Sequence, residues 1–175
     1  MEAVNQATSG NTVALHTTAG CSMSDVRRQM SGAAGPQGDC HNATNHNAGC
    51  TVSGPAATYG PAFNAAGGGV VALEWRLEGI RVWVFARGGA GGPTTAAAVW
   101  AEPVPDPSGW GLPLADFPAT GCDVGSHFRN QSIVVNIDLC GYLTDAVWAS
   151  SGCRIPPLFF VLFCFVLLML VWLLM

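Results

Sequence analysis

Four side chains able to bind a metal ion or to form a disulfide sit close together in the first third of the chain: Cys40, His41, His46 and Cys50. Two thiols and two imidazoles would suit tetrahedral zinc. Their order and spacing match no zinc finger, and adjacent ligands such as Cys40-His41 bind one ion awkwardly. The expected structure is a loop pinned by a disulfide, with no metal and no cofactor. The run Arg87-Gly88-Gly89-Ala90-Gly91-Gly92-Pro93-Thr94-Thr95 has the outline of a phosphate cradle. It lacks the lysine that would meet the phosphates, and no helical pattern follows it, so it reads as a flexible loop. The serines and histidines form no nucleophile elbow. The glutamates Glu2, Glu74, Glu78 and Glu102 are spread far apart. Residue types and spacing alone name no reaction.

The elements that must hold these groups are strands. Helical periodicity is almost absent before residue 155, and short β-type runs are separated by clusters of Gly, Pro, Asn and Ser. The candidate strands are residues 12–17, 70–75, 80–86 and 132–139. In the third, Ile80, Val82 and Val84 alternate with Arg81, Trp83 and Phe85, which gives one aliphatic face and one aromatic, cationic face. A solvated outer face rarely carries Trp and Phe. Either a second sheet covers that face, or it lines a groove where rings stack on a ligand. Residues 87–121 read as one long irregular stretch rich in Gly, Pro and Ala.

With 175 residues, 50% hydrophobic and 10% charged, the chain is too apolar to stay disordered. A net charge of −4, with arginine as the only basic side chain besides histidine, excludes an electrostatic nucleic-acid partner. Every charge lies in residues 1–154, enough for one modest domain, and residues 155–175 form an apolar second segment. As a helix, residues 158–175 would extend roughly 27 Å, close to the span of a bilayer. Phe, Leu and Val cover every side of it, so membrane insertion is favoured over burial as a core helix, with a glycolipid-anchor signal third. The cysteines at 21, 40, 50, 122, 140 and 153 suit disulfides. With the acceptor sequences Asn42-Ala43-Thr44 and Asn130-Gln131-Ser132, they point to an oxidising compartment and to N-glycosylation at Asn42 and Asn130. The opening Met1-Glu2-Ala3-Val4-Asn5-Gln6 is acidic and polar, unlike a signal peptide, and Arg154 casts a weak vote for a cytosolic domain.

A longer pattern resolves what the short motifs leave open. The run Tyr59-Gly60-Pro61-Ala62-Phe63-Asn64-Ala65-Ala66-Gly67-Gly68-Gly69-Val70-Val71-Ala72-Leu73-Glu74-Trp75, followed by Ile80-Arg81-Val82-Trp83-Val84-Phe85-Ala86-Arg87-Gly88, resembles the second half of fungal glycoside hydrolase family 16. Pro105-Asp106-Pro107-Ser108-Gly109-Trp110-Gly111-Leu112-Pro113, Gly121-Cys122-Asp123-Val124-Gly125-Ser126-His127-Phe128 and Ile133-Val134-Val135 leading to Cys140-Gly141 resemble its later segments, in the same order. The resemblance covers about residues 1–153. It implies an all-β fold, a partial concanavalin-like jelly-roll sandwich, to which the C-terminal hydrophobic helix read from the apolar run is an addition. It also implies endo-β-1,3(4)-glucanase or laminarinase-type activity on β-glucans.

The family's catalytic pattern is E-x-D-x-x-E followed by G-V-N. The opening Glu2-Ala3-Val4-Asn5 aligns Glu2 with the last glutamate, the general acid/base. The nucleophile belongs five residues earlier, upstream of Met1, so the expected activity of residues 1–175 alone is impaired. Retaining hydrolysis needs a proton-donating carboxyl and a second carboxylate about 5–5.5 Å away. His16, in Leu15-His16-Thr17, matches the family's L-H-T segment and is expected either to contact Glu2 or substrate or to be a satisfied loop or core histidine. Trp83 and Trp110 are expected either to stack on glucose rings or to belong to the core. Two departures stand out: Tyr142-Leu143-Thr144-Asp145 replaces the family's D-W-A-G, and no later strand follows Cys153 to supply its partner cysteine. The alternatives are a non-catalytic, membrane-tethered β-glucan binder and a fragment without function.

Overall fold

Two three-stranded antiparallel sheets form where short apolar runs alternate in and out of a shared core. The computed structural model describes residues 10–88, 96–101 and 103–135. Residues 10–131 belong to one compact unit and residues 132–135 to a second. Glu2, the glycine-rich run at 89–95, Cys140, Cys153 and the apolar segment 155–175 lie outside the described residues. So does most of the candidate strand 132–139, whose described part, residues 132–135, is not a strand. No described helix is long and apolar enough to cross a membrane.

The first sheet has the order β1-β3-β2, with β1 at Thr12–Leu15, β2 at Ala33–Ala34 and β3 at Cys50–Ser53. Register places Val13 opposite Val52 and Leu15 opposite Cys50, so all four face inward together and are buried. The second sheet is β4-β5-β6, formed by Gly69–Arg76, Gly79–Ala86 and Ala115–Pro118. β4 and β5 make a hairpin through Leu77 and Glu78. Gly79, at φ +154°, closes the turn, and a Cβ there would come within 2.8 Å of the Phe117 carbonyl oxygen. Only glycine lets β6 approach this closely.

The core forms between the sheets. Ile80 and Val82 of β5, with Ala115 and Phe117 of β6, join Val13, Leu15, Cys50 and Val52 in one buried cluster. The edges are also stitched, because Ser31 N–H donates to the Pro113 carbonyl at 2.8 Å and Gly32 N–H to that of Leu114 at 3.0 Å. Two disulfides, Cys21–Cys122 and Cys40–Cys50, close the unit. The first spans 101 residues of sequence and the second 10, so on the chain-entropy argument the first constrains the unfolded chain more.

Among the described residues three short α-helices punctuate the sheets: α1 at Gly60–Ala65, α2 at Ala96–Ala101 and α3 at Val124–His127. The stretch 87–121 is therefore not uniformly irregular, since it contributes α2 and β6. Its role answers the question posed by β5. The aromatic face is covered neither by a second sheet nor left open as a groove. Val99 of α2 and Trp110 from the following loop pack on Trp83, with Val70, Ala72 and Phe85 around them.

β4 is different. Val71, Leu73 and Trp75 share the aliphatic face with Val84, Val82 and Ile80, yet they are 52%, 65% and 45% exposed. The facing sheet covers β5 and β6, and among the described residues nothing covers this strip of β4. Burial makes a direct prediction. Phe117→Ala removes a side chain that is 1% exposed and should lower unfolding stability by about 3–5 kcal/mol, whereas Leu73→Ala should change it by less than about 0.5 kcal/mol. Urea denaturation of the full chain measures both, and equal losses would contradict the placement of the core.

Candidate functional site

His16 owes its position to strand alternation. It follows β1 directly, and since Val13 and Leu15 point into the core, His16 emerges on the outer side of the first sheet, exposed. Its Nδ1 lies 2.9 Å from Oδ1 of Asn47. Asn47 belongs to the loop closed by Cys40–Cys50, which is tied to the strand end by two backbone bonds: Thr17 N–H to the Cys40 carbonyl at 2.9 Å and Asn42 N–H to the Thr17 carbonyl at 2.8 Å.

Just before that loop, Asp39 accepts from the His41 N–H at 3.0 Å and from the Thr44 hydroxyl at 3.1 Å. These bonds, the His41 N–H first, hold the Asp39 carboxyl below its ordinary value of 3.8. Asn45, His46 and Asn47 follow with φ of 49°, 55° and 60°, three consecutive residues in the left-handed region, and Gly49 adds a fourth at 65°. A Cβ on Gly49 would run into the Leu15 carbonyl oxygen and come within 2.9 Å of His16 Nδ1, so glycine is what lets the loop close over the histidine. The sequence reading of this loop as disulfide-pinned agrees with the geometry. Asn47 went unnoticed because nothing in a lone asparagine signals it; the Asn-His-Asn-Ala-Gly composition, apt for left-handed turns, was the available clue.

Trp83 and Trp110 occupy the other side. Trp83 alternates with the inward-facing Val82, so it lies on the outer side of the second sheet, away from His16. Trp83 and Trp110 are only 4% and 7% exposed. They meet edge to face at 5.3 Å and 89°, Phe85 meets Trp110 at 5.6 Å and 84°, and Trp83 Nε1 donates to the Gly111 carbonyl at 3.2 Å. Aromatic pairs favour this arrangement in cores. Both rings pack here, on the side of the structure away from His16. A shallow, mainly apolar depression of about 370 Å³ runs along β4 beside them, lined by Val70, Leu73, Val99, Pro105 and Trp110.

Cross-strand register creates an ionic network that sequence spacing concealed. Glu74 stands opposite Arg81, and Arg81 opposite Asp116. Arg81 donates to Glu74 at 3.0 Å and to Asp116 at 3.2 Å, Arg76 adds a 2.6 Å contact to Glu74, and Gln29 N–H donates to Asp116 at 3.0 Å. Burial pulls the Arg81 guanidinium down, but the hydrogen bond to Glu74 and the charges of Asp116 and Glu74 more than offset it, leaving it raised. Both carboxylates share Arg81, and Glu74 holds Arg76 as well, which suits a structural bridge rather than an acid/base pair.

Cys21, Cys122 and His127 bring three ligand atoms within 4.8 Å, but the sulfurs are joined to each other and His127 Nδ1 meets the Thr18 hydroxyl at 2.9 Å. The glycosylation acceptors Asn42 and Asn130 are both exposed.

Comparison with known proteins gives this geometry a context. Residues 1–158 match the family model described as the XgeA-like, catalytic GH16 domain. A probable glycosidase of Schizosaccharomyces pombe is 42% identical over 156 residues, which cover 87% of this chain and 36% of that protein. An endo-1,3(4)-beta-glucanase of Arthroderma benhamiae is 38% identical over 151 residues, 85% of this chain and 32% of that one. Among solved structures, the GH16 laminarinase 16A of Phanerochaete chrysosporium, with two β-glucans (6-O-glucosyl-laminaritriose) in its donor and acceptor sites, superposes with a TM-score of 0.66. It shares 42% identity, covering 74% of this chain and 42% of that one. The chain thus spans between about a third and two-fifths of these relatives.

The Asp39 bonds predict a pH response in the loop. A carboxyl with a lowered folded value stabilises its surroundings fully above the unfolded value and loses that effect as pH falls through the folded one. The His41 amide resonance should therefore titrate with a midpoint below 3.8 and should lose this titration in Asp39→Asn. An NMR midpoint at or above 3.8 would contradict the bonding.

Proposed function

The chain belongs to glycoside hydrolase family 16, and from that premise we propose that it is the C-terminal part of a retaining endo-β-1,3(4)-glucanase catalytic domain. The observation that carries this reading is the 42% identity, at a TM-score of 0.66, to a laminarinase whose structure holds β-glucans in both donor and acceptor sites. Glu2, outside the described residues, is the general acid/base by its place in the family pattern. It protonates the departing glycosidic oxygen and then activates water. The nucleophile is the carboxylate five residues before it in that pattern, a position that residues 1–175 do not contain.

His16 stands on the outer side of the β1-β3-β2 sheet, and it contributes a polar contact to the glucan. Trp83 and Trp110 pack together on the outer side of the other sheet. The two disulfides and the exposed acceptors Asn42 and Asn130 support export through an oxidising compartment, with glycans on both asparagines.

The chemistry sets the test. Residues 1–175 alone should release no reducing ends from laminarin. The same chain extended upstream through the E-x-D-x-x pattern and the family's N-terminal strands should hydrolyse it with retention at the anomeric carbon. Glu2→Gln in the extended form should lower kcat by about 10²–10⁴. An extended chain with both carboxylates and no laminarin hydrolysis would overturn the proposal.

A further inference from the structure

We propose that Asn47 is a positioning residue that fixes the His16 tautomer, so that His16 presents Nε2 as a hydrogen-bond acceptor to a glucan hydroxyl. This builds on the glucan-binding role given to His16 above. The tautomer follows from the partner. Asn47 Oδ1 carries no proton, so with that oxygen 2.9 Å from the ring the contact is a hydrogen bond in the tautomer whose Nδ1–H donates. A neutral imidazole has a single N–H, which leaves Nε2 with its lone pair free. Sugars present hydroxyl donors, so an acceptor nitrogen of fixed identity is a useful recognition element.

The loop is constructed to hold that acceptor in place. Three consecutive left-handed residues ending at Asn47 are costly and persist only where their surroundings over-determine them. Here the Cys40–Cys50 disulfide, the two Asp39 bonds and the two backbone bonds at Thr17 supply the constraint. Gly49 removes the Cβ that would push the ring away. The strain therefore sits beside a side chain that touches His16; of the groups that supply the constraint, Cys40 and Cys50 belong to the buried core and Asp39 does not.

The test uses the full 175-residue chain with ¹⁵N-labelled histidine at pH 8. Asn47→Gly removes the acceptor while tolerating the φ of 60°, and Asn47→Asp keeps an acceptor oxygen. Long-range ¹H–¹⁵N spectra should show a protonated Nδ1 and an unprotonated Nε2 for His16 in the wild type and in Asn47→Asp. Asn47→Gly should shift His16 towards the Nε2–H form. Dissociation constants for a β-1,3-linked glucose oligosaccharide should rise about fivefold to tenfold in Asn47→Gly and stay within about twofold in Asn47→Asp, as expected for one hydrogen bond. Unchanged His16 nitrogen shifts in Asn47→Gly, or a changed tautomer with unchanged affinity, would overturn the positioning role alone. No oligosaccharide binding by the wild-type chain would overturn the glucan role of His16 itself.

Discussion

Burial of β5 on both faces is the constraint on which the structure rests. Its aliphatic side, Ile80 and Val82, closes against β1 and β3, while Trp83 on its other side is sealed by Val99 and Trp110. A strand apolar on both faces cannot lie at a surface, so cover must come from elsewhere in the chain. The first sheet supplies one layer, and the loop between β5 and β6 supplies the other. Arg81, the one charge within β5, is accommodated because register puts Glu74 and Asp116 on either side of it.

That same layering decides where chemistry can occur. Inward-facing positions of β1 and β3 are spent on the core, so the first sheet has only its outer side to offer a ligand, and His16 reaches that side by simple alternation. The tryptophans, which composition makes attractive as sugar platforms, are drawn into packing by the demand of β5 for cover. The bare strip Val71, Leu73 and Trp75 shows the opposite situation, an inner-type face with no opposing layer among the described residues. It is consistent with a chain that covers 42% of the laminarinase it matches.

Much of this organisation was legible in the sequence, for identifiable reasons. β5 could be read because its alternation is strict, and β1 because Val13 and Leu15 alternate in the same way. The loop 40–50 could be read as disulfide-pinned because its spacing suits a metal poorly, but six cysteines left the pairing itself open until the structure joined Cys40 to Cys50. β3 and β6 were missed: each is four residues long, and Pro118 and Cys50 weaken the strand pattern. The fate of Trp83 was illegible because its cover, Val99 and Trp110, comes from a stretch whose Gly and Pro content masks a helix and a strand. For the site, alternation and the L-H-T segment pointed to His16, but its partner Asn47 depends on a left-handed turn and a loop closure that no periodicity encodes.

The role of β5 is tested most directly by residue-resolved hydrogen exchange on the full chain. If double-sided burial of β5 organises the unit, its amides from Ile80 to Phe85 should be the slowest to exchange. Along β4, the amides directed away from β5 should exchange far faster than those bonded to it, because the outer edge of β4 is unpaired among the described residues. Rapid exchange throughout β5, or equal protection of alternate amides along β4, would contradict this account.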